Sequence, residues 1–220
     1  MAGFDLRGHG QNPGNPEIAS FGVGGWTAAI EDIHDFSDHL RQRFPEVPHY
    51  MLGFSLGSFL LREYLGKYPD GTAGAIIAGT GHEPSWLLSI LMTLVKGEIK
   101  KSGFDGTTAL IKQLSFGTYN QNFKPNRTEA DWLCADAESL DHYLADSLVR
   151  KNISSGLFWE LLGSMKRTGK ADKGIAALQA MLQKAGLKSV KCKFCPNSRH
   201  DIFHEESTGN AEAVRQCVVA

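Results

Sequence analysis

Gly53-Phe54-Ser55-Leu56-Gly57 places one serine between two glycines, in a pattern that suits nucleophilic chemistry. The residues before it, 47–52, predict a strand, and the apolar spacing after Ser55 predicts a helix. A chain that reverses sharply from strand to helix holds its serine in a strained conformation, with the hydroxyl exposed at the sheet edge. We therefore predict Ser55 as a nucleophile. The alternative is a glycine-rich turn in which the serine only caps the helix.

His200 is the candidate general base. A serine hydroxyl becomes a strong nucleophile only when a base takes its proton. Where a serine occupies such a strand-to-helix turn, the histidine follows the last strand of the sheet. His200 fits, since it comes shortly after the predicted strand 190–194. Leu56 opens the predicted helix, so its backbone N–H is predicted to stabilise the oxyanion.

Metal and redox sites are weaker interpretations of the same region. His204 lies four residues after His200 and would share a helical face with it, but no third ligand is evident. Cys192 and Cys195 form a CxxC pair that overlaps the predicted strand 190–194, with no second pair to complete a zinc site. We predict that these cysteines pack in the fold, and that the protein needs no metal and no cofactor.

Strand and helix patterns alternate in the first part of the chain. Apolar runs at 1–4, 47–52 and 73–78 predict strands, and the helix predicted at 26–40 ends before Pro45. This alternation predicts a mostly parallel sheet flanked by helices, which is an α/β fold. Because the run 73–78 is continuously apolar, we expect that strand to be buried on both faces.

The middle of the chain changes to helical patterns throughout. We predict a single domain in which residues 1–85 form the first part of the core, 86–167 a helical cap insertion, and 168–220 the last part of the core. A helix at 175–185 is predicted in that last part. Within the cap, the apolar spacing predicts helices at 86–101, 107–114, 128–137, 140–149 and 156–166.

Composition excludes several classes of protein. The 220 residues carry 23 Lys and Arg against 24 Asp and Glu, a net charge of −1, whereas nucleic-acid binders have a clear basic excess. A hydrophobic fraction of 42% is too high for a disordered chain, and no window approaches the ~20 apolar residues of a membrane span. Four cysteines and the lack of a secretory pattern favour a cytoplasmic protein.

Four short motifs accompany these features: Asp5-Leu6-Arg7-Gly8-His9-Gly10, Gly53-Phe54-Ser55-Leu56-Gly57-Ser58, Gly79-Thr80-Gly81-His82 and Pro196-Asn197-Ser198-Arg199-His200. Together they resemble the lysophospholipase and monoacylglycerol-lipase branch of the α/β-hydrolases, from residue 1 to about residue 206. The resemblance implies an α/β-hydrolase fold with a helical cap. It also implies Ser55 as the nucleophile, His200 as the general base and Leu56 as one oxyanion-hole donor.

The sequence departs from that family in two places. In the family, strands and a His-Gly loop with the second oxyanion donor precede the motif that begins here at Asp5, so we expect a chain shortened at its N-terminus. The family also places a strand and its catalytic Asp before the helix that corresponds to 175–185. That segment is lacking, and Asp172 is the nearest substitute for the acid.

The resemblance implies a serine hydrolase that acts on carboxylic esters of lipid type, lysophospholipid or monoacylglycerol, through an acyl-enzyme. The alternative is a catalytically impaired fragment or pseudoenzyme of the same fold. A haloperoxidase or C–C hydrolase on this scaffold is a third interpretation that the fold alone leaves open.

Two structural expectations complete the sequence analysis. We expect Asp5 and Arg7 to hold the loop near the nucleophile through a salt bridge. A sheet without its first strands would expose an edge beside residues 1–4. We therefore expect marginal stability, aggregation or self-association through that edge.

Overall fold

A computed structural model describes residues 1–168, 191 and 198–204. The predicted helix 175–185, the predicted strand 190–194, Asp172 and the CxxC cysteines lie outside these residues. In chain order the elements are β1 (Ile18–Ala19), α1 (Gly25–Arg43), β2 (Tyr50–Phe54), α2 (Leu56–Lys67), β3 (Gly74–Ala78), α3 (Ser85–Ser102), α4 (Ala109–Ser115), a 3₁₀ helix (Tyr119–Phe123), α5 (Ala137–Ala145), β4 (Asn152–Ile153) and α6 (Ser155–Thr168).

Strands β2 and β3 form the parallel pair that carries the candidate nucleophile. Their register runs from Tyr50 opposite Gly74 to Phe54 opposite Ala78, and α2 connects them. The predicted strand–helix–strand order with parallel pairing is therefore confirmed. A second parallel pair joins β1 to β4. The sequence analysis missed it, because strands of two residues carry no alternation of apolar and polar side chains.

Helix α2 lies at the centre of the packing between α1 and α6. Its Leu60 and Tyr64 are fully buried, as are Ala29 on α1 and Leu157 on α6. Each large apolar side chain buried in this way stabilises the fold by roughly 1.5–3 kcal/mol. The helix that begins beside Ser55 is thus fixed by the hydrophobic core.

The helices predicted between residues 86 and 167 are confirmed at four of five places, as α3, α4, α5 and α6. The helix predicted at 128–137 is wrong: most of that segment forms turns, and α5 begins at Ala137. The Asp131 carboxylate accepts the backbone N–H groups of Arg127 and Thr128, which offers the backbone an alternative to helical hydrogen bonds. None of the helices in the described residues has the length and apolar character that a membrane span requires.

Three predictions about strands need correction. Residues 1–4 form no strand; Phe4 instead packs its ring against Phe36 of α1, with centroids 4.8 Å apart. Strand β2 begins at Tyr50 rather than at residue 47, because Pro48 has no N–H to donate to a ladder. Strand β3 is not buried on both faces, since within it only Ala78 is buried.

The outer surface of β2 is partly uncovered, since Tyr50 and Leu52 are 65% and 56% exposed. In the described part of the chain, β2 pairs only with β3. Self-association was expected through an edge beside residues 1–4, which form no strand, and the exposure of β2 does not test it, so it stays a prediction.

We expect the same substitution to have opposite effects at the two glycines around Ser55. A Cβ on Gly53 would lie 2.5 Å from the Gly57 carbonyl oxygen and 2.9 Å from the Leu61 Cβ, so Gly53→Ala should destabilise the fold by about 1–3 kcal/mol. A Cβ on Gly57, which lies within α2, would meet no atom within 4 Å apart from its chain neighbours and the backbone of its own helix. Gly57→Ala should therefore stabilise the fold by about 0.5–1 kcal/mol. Urea unfolding midpoints measure both effects, and shifts of the same sign would contradict this packing.

Candidate active site

Ser55 occupies the junction between β2 and α2 with φ 50° and ψ −116°. Within the described residues, it is the one non-glycine residue with a positive φ. Its N–H donates to the Ala78 carbonyl of β3 at 3.0 Å, and its carbonyl accepts the Ser58 N–H at 2.9 Å and the Ser58 hydroxyl at 2.6 Å. Hydrogen bonds on both sides thus hold the strained backbone. The predicted junction and its strain are confirmed.

The Ser55 hydroxyl forms no capping hydrogen bond with α2, which removes the support for the helix-capping alternative. It faces His200 instead: the distance from His200 Nε2 to Ser55 Oγ is 2.9 Å. Since 145 residues separate the two along the chain, folding alone brings them together. The predicted proximity is confirmed, whereas the catalytic role of each residue stays a prediction.

Aromatic rings surround the His200 imidazole on two sides. The Phe54 and Trp132 ring centroids each lie 5.2 Å from it. This burial lowers the pKa of His200, while the neighbouring Asp201 carboxylate opposes that effect. Because burial disfavours the imidazolium, the neutral form that can accept a proton is favoured.

The other histidine of this loop has a different partner. His204 Nδ1 lies 2.8 Å from Asp201 Oδ2, and the side chain is largely exposed. The two histidines therefore do not converge on one point. Across the described residues, no group of three or more His, Cys, Asp or Glu side chains is arranged to hold a metal ion.

Leu56 is the first residue of α2. The first N–H groups of a helix have no acceptor within the helix, so this amide is suited to a negative charge beside Ser55.

The catalytic acid, which would orient the His200 imidazole, has no counterpart in the described part of the chain, where no carboxylate is hydrogen-bonded to His200 Nδ1. Asp172 lies outside that part, so its assignment stays a prediction.

The salt bridge of the first motif joins Arg7 to Asp32 of α1, and Asp5 has a different partner. The Arg7 guanidinium donates two hydrogen bonds of 2.7 Å to the Asp32 carboxylate on α1. Asp5 instead accepts the Gln11 N–H at 2.9 Å, which closes its own loop. The loop is therefore tied to α1 by Arg7, with Asp5 acting inside the loop.

Residues 131–134 are a part of the site that the sequence analysis missed. The Trp132 carbonyl accepts the His200 N–H at 3.3 Å, and the Leu133 carbonyl accepts the Asp201 N–H at 2.7 Å. The Trp132 ring also packs against Phe116 and Tyr119, with centroid distances of 5.8 and 5.0 Å. These contacts build an aromatic wall beside the imidazole. The backbone partners depend on a turn that apolar spacing does not predict.

The sequence of the chain is similar to that of known hydrolases. The family described as serine aminopeptidase S33 matches residues 1–178. A monoacylglycerol lipase of Saccharomyces cerevisiae is 47% identical over 49 residues, which are 22% of this chain and 10% of the lipase. The proline iminopeptidase PfmaB of Pestalotiopsis fici is 28% identical over 123 residues, 55% of this chain and 40% of that protein. The chain thus spans less than half the length of these two relatives.

Solved structures share the architecture. A thermostable carboxyl esterase from Bacillus coagulans superposes with a TM-score of 0.75 at 20% identity, over 98% of this chain and 77% of the esterase. A monoacylglycerol lipase from Paleococcus ferrophilus gives 0.64 at 19% identity, over 98% and 80% of the two chains. At such identities the likeness establishes the fold, and the predicted α/β-hydrolase architecture is confirmed.

Proposed function

Because the chain belongs to the serine aminopeptidase S33 family of hydrolases, we propose that it hydrolyses carboxylic esters of lipid type through an acyl-enzyme. Ser55 is the nucleophile and His200 the general base. The observation that carries this proposal is the 2.9 Å contact between His200 Nε2 and Ser55 Oγ at a strained strand–helix junction. A nucleophile within hydrogen-bond reach of its base is the arrangement that acyl transfer requires.

In the proposed reaction, Ser55 Oγ attacks the ester carbonyl carbon while His200 Nε2 takes the hydroxyl proton. The Leu56 N–H donates to the oxyanion of the tetrahedral intermediate. The imidazolium then protonates the departing alcohol as the C–O bond breaks, which leaves an ester on Ser55. A water molecule repeats the sequence, releases the fatty acid and restores the serine hydroxyl.

The aromatic wall supports a lipid-type substrate. Phe54 and Trp132 contact the His200 ring directly, and Phe116 and Tyr119 extend the wall outward, where they are partly exposed. Apolar side chains next to the reacting atoms favour an acyl chain over a charged group. The similarity to a yeast monoacylglycerol lipase over 49 residues supports a monoacylglycerol substrate, and a lysophospholipid is proposed beside it.

Substrate class is tested by comparing kcat/KM for 4-nitrophenyl esters from acetate to palmitate, and then for 1-oleoylglycerol and lysophosphatidylcholine. We expect a higher kcat/KM for medium and long acyl chains than for acetate. A prolyl 4-nitroanilide belongs in the same series, since one relative is a proline iminopeptidase. Faster cleavage of that amide than of every ester would replace the esterase proposal with an aminopeptidase.

An impaired catalyst is the second candidate. Among the described residues no carboxylate is bonded to His200 Nδ1, and Asp172 lies outside them, so an incomplete catalytic triad is the case to be tested. Without an acid to orient the imidazole, kcat in serine hydrolases falls by about 10⁴-fold. Turnover at the background rate with intact folding would favour this candidate.

The pH profile of kcat/KM should reflect the buried imidazole. Burial lowers the pKa of His200 below its usual value, so the base stays neutral at lower pH than an exposed histidine does. We expect kcat/KM to rise with pH along an acid limb centred below about pH 6.5. Since the Asp201 carboxylate raises that pKa, Asp201→Asn should move the limb further down. A limb above the usual histidine pKa would contradict the assignment.

We further propose a cytoplasmic location, supported by the use of only four cysteines in 220 residues. The division of the domain into core parts 1–85 and 168–220, with a helical cap at 86–167, is a proposal, as the substrate class is. Self-association of the chain is also proposed; the exposed Tyr50 and Leu52 give β2 an apolar surface that a second copy would cover.

A further inference from the structure

Arg199 precedes the proposed base and binds a segment 65–68 residues earlier in the chain. Its Nη1 donates to the Asp131 carbonyl and, at 3.1 Å, to the Cys134 carbonyl. The guanidinium carbon also lies 4.8 Å from the centre of the Phe123 ring. One side chain therefore bridges both ends of the 131–134 segment and packs on an aromatic ring behind it.

The same segment binds the backbone of the base itself. The His200 and Asp201 N–H groups donate to the Trp132 and Leu133 carbonyls, and the Trp132 ring packs against the imidazole. Arg199 contacts the two residues that flank those two acceptors. The Arg199 side chain and the backbone N–H groups of His200 and Asp201 thus donate hydrogen bonds to the four consecutive carbonyl groups of residues 131–134.

We propose that Arg199 is a positioning residue that keeps His200 Nε2 within hydrogen-bond reach of Ser55 Oγ. It acts by fixing the 131–134 segment against residues 199–201, and the inference rests on the proposed function. A planar guanidinium can donate to two carbonyls and stack on a ring at once, whereas a lysine ammonium is a flexible point charge. Displacements of about 1 Å in a catalytic group can lower rates by about 10²-fold. We therefore expect loss of this bridge to lower kcat.

The test compares Arg199→Ala and Arg199→Lys with a matched control, Arg127→Ala. The Arg127 guanidinium also lies near this segment, but its partners are Asp141 and the Ala137 carbonyl, away from residues 199–201. We expect Arg199→Ala to lower kcat and the rate of fluorophosphonate labelling about 10–100-fold, with KM within about twofold of the wild type. Arg199→Lys should recover part of the loss, and Arg127→Ala should match the wild type.

Hydrogen exchange of the peptide that contains residues 199–204 gives a readout independent of turnover. Arg199→Ala should speed exchange of the His200 and Asp201 amides, and Arg127→Ala should not. Unchanged exchange in Arg199→Ala, or a lower unfolding midpoint with unchanged kcat, would overturn the positioning role. If the wild type neither turns over esters nor reacts with the probe, the proposed function fails, and the exchange comparison still decides whether Arg199 holds this loop.

Discussion

Replacing Ser55 by alanine is expected to reduce ester hydrolysis to the background rate. Ser55→Ala removes Oγ, the atom that His200 Nε2 contacts at 2.9 Å and on which the acyl-enzyme is proposed to form. Loss of the nucleophile in a serine hydrolase lowers kcat by about 10⁶-fold. Steady-state assays with the best 4-nitrophenyl ester measure the effect, and near-normal turnover in Ser55→Ala would contradict the nucleophile assignment.

Ser55→Gly serves as the matched variant, because it also lacks the hydroxyl but relieves the backbone. A side chain at φ 50° and ψ −116° is strained by about 1–3 kcal/mol, and glycine adopts such a conformation without that cost. Both variants should be inactive, while Ser55→Gly should unfold at higher urea concentration than Ser55→Ala. Glycine also costs roughly 0.5–1 kcal/mol of backbone entropy, so a Ser55→Gly midpoint below that of Ser55→Ala would show that the junction is not strained in solution.

The second large effect is expected from His200→Gln. Glutamine has a similar size and can hydrogen-bond, but it cannot take the serine proton at neutral pH. In serine hydrolases, loss of the histidine lowers kcat about as much as loss of the serine, on the order of 10⁶-fold. We expect His200→Gln to lose turnover and fluorophosphonate labelling together, as measured by initial rates and gel fluorescence.

His204→Gln is the control for that experiment. His204 lies four residues further on, is largely exposed and binds Asp201 rather than Ser55. We expect its turnover and labelling to stay within about twofold of the wild type. If His204→Gln lost activity and His200→Gln kept it, the general base would have to be reassigned.

The candidate site was predictable because its chemistry depends on local and topological rules. A serine between glycines at a strand–helix junction fixes the position of Ser55, and the chain order places the base after the last strand. Trp132 and Arg199 could not be found in this way. Their roles depend on a turn at 131–134, where the Asp131 carboxylate bonds to the backbone while the apolar spacing suggested a helix.

The fold was predictable where apolar periodicity extends over several turns. The long helices α1, α3 and α6 appear where their spacing predicted them, because one face of each packs in the core. Strand predictions were less reliable, since a strand exists only where a partner pairs with it. The apolar run 1–4 forms no strand, and the β1–β4 pair carries no recognisable pattern.

The most direct test of the account is the intact mass of the full chain after reaction with a fluorophosphonate probe, followed by peptide mapping. Phosphonylation requires a nucleophilic serine and a working base, but it does not depend on the choice of ester. The account predicts one adduct per chain, on Ser55, and none in Ser55→Ala. An unmodified Ser55 under conditions that label a control serine esterase completely, or an adduct on another serine, would contradict it.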